Sequence, residues 1–91
     1  MSWYKCTVTA VGPASDATDT PAPVIYIQLT DTAGAFSTTW FYIANGIQNE
    51  ALNVAIAAMN SQKHVSAGAV PPILPGNQPF TEISRLYLIT T

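Results

Sequence analysis

The stretch NEALNVAIAAMNSQ, residues 49–62, decides the fold. It carries one charge, Glu50, and apolar residues on nearly every side. Leu52, Ala55, Ile56 and Met59 recur at helical spacing, so the stretch predicts a helix. Asn45 or Asn49 can cap its start. Glu50 in the first turn and Lys63 just past the end both suit the helix dipole. At about 100° per residue the apolar positions form two stripes. Leu52, Ala55, Ile56 and Met59 make one, expected to plug a core. Ala51, Val54, Ala57 and Ala58 make a second, small and apolar, where a solitary domain would place Lys and Glu. Small residues let another helix approach closely. The second stripe is therefore expected to be an oligomer interface.

Before the helix the chain reads as strands. AFSTTWFYI, residues 35–43, loads both faces with Trp40, Phe41, Tyr42 and Ile43. VIYIQLTD, residues 24–31, alternates at period two, with Ile25, Ile27 and Leu29 on one face and Tyr26, Gln28 and Thr30 on the other. The TAG between them supplies a turn, with Gly34 free to take positive φ. These two strands form a hairpin. GPASDATDTPAP, residues 12–23, reads as a long loop. SWYKCTVTAV, residues 2–11, reads as a half-buried strand with Tyr4, Cys6, Val8 and Ala10 on one face and Trp3, Lys5, Thr7 and Thr9 on the other.

After the helix, KHVSAGAV, residues 63–70, is a weak strand thinned by Gly68. PPILPGNQP, residues 71–79, holds four prolines and is an irregular loop. FTEISRLYLITT, residues 80–91, is a closing strand. The order is β-β-β-α-β-β with no internal repeat. That is the order of a five-stranded, OB-like Greek-key barrel, a mostly β, α+β single domain over residues 1–91. An α+β roll or an open sheet crossed by the helix shares this order.

The helix with its following segment, NEALNVAIAAMNSQKHV, and the closing ISRLYLIT resemble the second half of small bacterial OB-like proteins similar to the binding (B) subunits of AB-type toxins. The resemblance spans residues 45–91 and rests on apolar pattern. It implies a ring of five subunits, with paired strand edges and helices lining a pore. The chain departs from that group in its single cysteine, Cys6, and in lacking a leader's apolar block. As it stands, it is expected in the cytoplasm or released without a cleaved leader, or to be a mature form with an added Met.

Charged residues are 9% of the chain, against roughly 25% in ordinary domains. So neutral a surface favours self-association. The net charge is −2, with Lys5, Lys63 and Arg85 the only Lys and Arg. Phosphate binding needs several such groups on one face, so nucleic acid is not expected. No apolar run approaches a membrane span.

No catalytic constellation appears. Cys6 reads as a small buried hydrophobe, and His64 as a residue at the helix exit. Asp16 and Asp19 lack the further oxygen ligands of a calcium loop. Glu82 and Arg85 stand three apart in a strand and are expected to face opposite sides. No metal or cofactor is implied, and no enzyme. OB-like barrels bind ligands on strands two and three and in the flanking loops. Here that face holds Tyr26, Gln28, Thr30, Trp40 and Tyr42, between loops 12–23 and 71–79. Aromatic rings among neutral amides and hydroxyls suit a glycan. The expected function is a ring-forming, non-enzymatic binding module. A purely structural subunit of a phage, shell or filament is the alternative, and single-stranded nucleic-acid binding is a weaker one.

Overall fold

A computed structural model describes residues 2–14, 24–70, 73 and 80–90. Six elements follow in order: β1 (Ser2–Ala14), β2 (Val24–Asp31), β3 (Thr39–Ile43), α1 (Gln48–Ser61), β4 (Val65–Ala69) and β5 (Thr81–Leu88). The strands close into a barrel in the order β1-β2-β3-β5-β4. All neighbours are antiparallel except β3 and β5, which run parallel. This is the OB-like barrel with one helix between β3 and β4. The long β1 makes closure possible. Residues 2–6 pair with β4, and residues 6–14 pair with β2.

Inward positions follow the period-two pattern. Cys6, Ile27, Leu29, Phe41, Ile43, Val65 and Ile83 are all but inaccessible. Phe36, from the β2–β3 connection, extends this core in an edge-on chain of rings. Its centroid lies 5.2 Å from both Tyr4 and Phe41. The connection itself is tied by Asp31, whose carboxylate accepts the N–H groups of Ala35 at 2.9 Å and Ala33 at 3.3 Å. Gly34 takes the positive φ, +87°, that the turn demands. Asp31 is 6% exposed, and its carboxylate makes these two charge-assisted hydrogen bonds to the exposed turn residues Ala33 and Ala35. Asp31→Ala is therefore expected to cost about 2 kcal/mol in urea unfolding, and Asp31→Asn, which keeps one acceptor, less.

Several local expectations need correction. β3 begins at Thr39, because residues 35–38 belong to the connection, where Thr38 has a φ of 46°. β1 runs on through Gly12 and Pro13, where a loop was expected. The rest of that loop, residues 15–23, lies outside the described residues, as does 71–79 apart from Ile73. The helix has no side-chain cap. Its N-cap is Ile47, and Asn45 instead accepts the Gln48 side-chain amide at 3.1 Å. Asn49 lies inside the first turn. Gln62, expected within the helix, is its left-handed C-cap, with φ 57°.

The largest correction is the rotation of α1. Its buried residues are Ala51, Ala55 and Ala58. Ile56 and Met59, expected in the core, are 42% and 41% exposed. The helix is turned by about a quarter turn from the sequence reading. The physical reason is space. The barrel fills itself with Phe41, Ile27, Leu29, Ile43 and Ile83, and α1 packs across β1 and β5. A wall already filled admits only side chains that end at Cβ, and the small stripe lets the helix approach closely. Leu52, Val54 and Ile47 pack at the margins of this contact.

Candidate functional site: an aromatic cleft on β1, β2 and β3

The outer face of β2 and β3 carries the residues singled out from sequence. Register places Tyr26 opposite Tyr42 and Gln28 opposite Trp40. Tyr26, Gln28, Thr30, Trp40 and Tyr42 are all partly exposed, in alternation with the buried Ile25, Ile27, Leu29, Phe41 and Ile43. Not all of them serve one site. Thr30 is spent on the fold, since its hydroxyl accepts the Thr38 N–H at 2.8 Å. Tyr26 and Trp40 wall a cleft of about 340 Å³, and Gln28 and Tyr42 stand next to it on the two strands.

The remaining walls were not legible. Phe80, just ahead of β5, sets its ring edge-on to Tyr26, with centroids 5.4 Å apart at 89°. It forms the third aromatic wall. Ala10 and Gly12 provide a low floor, and Val11 and Pro13 complete the lining. Strict alternation would have put Ala10 inside the barrel. The register of β1 on β2 instead slips between Val8 and Ala10, a β-bulge. Past the bulge, Ala10 pairs with Gln28 and Gly12 with Tyr26, so both small residues join the outer face. A Cβ built on Gly12 meets nothing within 4 Å, so its side is open. Thr9, at the slip, donates its hydroxyl to Gln28 Oε1 at 2.9 Å and to the Gln28 carbonyl at 3.1 Å. That contact holds the Gln28 amide in one orientation and leaves its NH₂ as a donor.

A second bulge acts on β5. Gly68 pairs with Arg85 and Ala69 with Ile83, so Ser84 is skipped. Glu82 and Arg85 therefore both face outward, contrary to the alternation rule. They serve different sides of the barrel. Glu82 pairs with Tyr42 and borders the aromatic face. Arg85 pairs with Gly68, whose other partner is Trp3. Lys5 lies on that same side, opposite Ser66, and Trp3 stacks on Tyr87 with centroids 5.4 Å apart. None of the three Lys and Arg stands on the aromatic face.

Compared with protein-family models, curated proteins and solved structures, the chain matches none. The site must be read from its own chemistry.

Among the described residues no three His, Cys, Asp or Glu side chains converge on one point. β1–β4 pairing sets Val65 opposite Cys6, so His64, just ahead of β4, lies near the strand that carries the thiol. The thiol is nevertheless out of play. Burial, with the Asp31 charge adding to it, pushes Cys6 up to about 12 from 9.0. No thiolate stands ready at neutral pH. The raised value favours the protonated, folded form. That contribution is complete below pH 9.0 and is lost as pH rises towards about 12. Maleimide should label native Cys6 only as fast as the chain unfolds, and the urea midpoint should fall across that alkaline window.

The interface residues expected on α1 also need correction. Ala51 and Ala58 are 3% and 1% exposed within the single chain, and Val54 packs against the core. Only Ala57 among the four lies outside that contact, partly exposed. The apolar surface that α1 leaves outward is Ile56 and Met59, flanked by Leu52. No helix of the described residues is long and apolar enough to cross a membrane.

Proposed function

We propose that the protein is a non-enzymatic binding module whose cleft on β1, β2 and β3 takes a sugar ring of a glycan. The observation that carries this is the convergence of Tyr26, Trp40 and Phe80 on one open cleft with a floor of Ala10 and Gly12. A pyranose offers an apolar face of C–H groups to such rings and a rim of hydroxyls to neutral donors. Gln28 supplies one donor beside the cleft. The cleft is mostly apolar, as ligand sites usually are, with few polar groups to set orientation. Bases could stack on the same rings, but the face lacks the cations that phosphates need. Glycan-array binding by the native chain, lost in Trp40→Ala, tests the reading. An array without hits, or hits retained by Trp40→Ala, would defeat it.

A structural, self-associating subunit is the second reading, favoured by the exposed Ile56 and Met59. The two readings are compatible, as in the five-subunit ring suggested by the resemblance to toxin binding subunits. Light scattering behind a sizing column would then give a discrete multiple of 9.7 kDa. Ile56→Glu with Met59→Glu should disperse that assembly and keep the fold. A monomeric native chain removes this reading.

A further inference from the structure

We propose that the sugar held in this cleft carries an ammonium group, and that Glu82 selects it. The inference rests on the glycan reading above and adds the charge of the ligand. Strand register builds one outward row across four strands: Gly12, Tyr26, Tyr42 and Glu82. Neighbouring strands lie about 4.8 Å apart, so Glu82 stands about 5 Å from Tyr42 and about 10 Å from Tyr26 along the row. Glu82 does not line the cleft itself, so a substituent of a ring lying on Tyr26 and Trp40 would meet the carboxylate by reaching across Tyr42. Glu82 itself is exposed and lies two residues after Phe80, just outside the cleft lining.

The charges around the site point the same way. Lys5 and Arg85 occupy the β1–β4–β5 side, and Lys63 follows the helix. Among the described residues the aromatic face thus has one carboxylate, and it has no Lys or Arg, on a chain of net charge −2. An ammonium gains from the carboxylate and also from the negative faces of Tyr and Trp rings. A carboxylated sugar would be repelled. A bare alkylammonium would meet the carboxylate but leave the open, ring-walled cleft largely empty.

The test is calorimetric titration of the full chain, at mildly acidic pH, with three tetramers of one backbone: glucosamine with its amines protonated, N-acetylglucosamine, and glucose in β-1,4 linkage. The glucosamine tetramer should bind about tenfold tighter than the other two, the combined size of an exposed ion pair and a cation–π contact. Glu82→Gln should collapse that ratio to near one, with circular dichroism verifying the fold. Equal affinities for all three in the native chain would overturn the ammonium proposal and leave the glycan reading standing. Binding of none would overturn both. Tetramethylammonium binding as tightly as the glucosamine tetramer would overturn the sugar as the ligand.

Discussion

Ala55→Glu is expected to unfold the chain, whereas Ile56→Glu, one residue later, is expected to leave it folded. Ala55 is fully buried between α1 and the barrel. A carboxylate there meets Ala51, Ala58 and the filled barrel wall, with no cation among the described core residues to pair with it. Burying an unpaired charge costs several kcal/mol, comparable to the whole stability of a small domain, about 5 kcal/mol. Ile56 is 42% exposed, and a carboxylate there stays in water. Thermal unfolding followed by circular dichroism separates the two variants. Unfolding of both variants would put the helix back in the rotation that the sequence suggests, which buries Ala55 and Ile56 together.

Gly12→Phe should abolish ligand binding while raising stability slightly. Gly12 faces the cleft and lies opposite Tyr26, with open space where its Cβ would be. A phenylalanine there can stack on Tyr26 and fill the place of the ligand ring. Replacing a strand glycine also removes a destabilisation of about 0.5–1 kcal/mol. Loss of binding through misfolding would lower the melting temperature, so the opposite signs of the two effects are diagnostic. Unchanged glycan affinity in Gly12→Phe would place the ligand elsewhere on the molecule.

These two variants mark where the sequence was transparent and where it was not. The order of elements was legible because alternation in β2 is strict and Gly34 punctuates the hairpin. Tyr26 and Trp40 were legible for the same reason, since outward positions on β2 and β3 follow from parity. Ala10, Gly12 and Glu82 were not. Ala10 and Gly12 lie past a bulge, where a single skipped residue reverses which side a strand shows, and Glu82 comes to the aromatic face through the pairing of β5 with β3. Phe80 reaches Tyr26 only through the parallel pairing of β3 with β5, a contact between segments far apart in the chain. The helix misled for another reason. Its apolar residues surround it, so periodicity leaves the phase open, and side-chain bulk is a poor guide to burial here. The space left by the barrel selected the alanines instead.

The chain has two tryptophans, and they report on opposite sides of the barrel. Trp40 walls the cleft, and Trp3 stacks on Tyr87 beside the β1–β4–β5 side. A ¹H–¹⁵N spectrum of the labelled protein should therefore show two indole signals, assignable by Trp3→Phe. On titration with glucosamine tetramer, the Trp40 indole should shift progressively and saturate, with the Trp3 indole still. Movement of the Trp3 signal alone, or of neither, would contradict the cleft as the binding site.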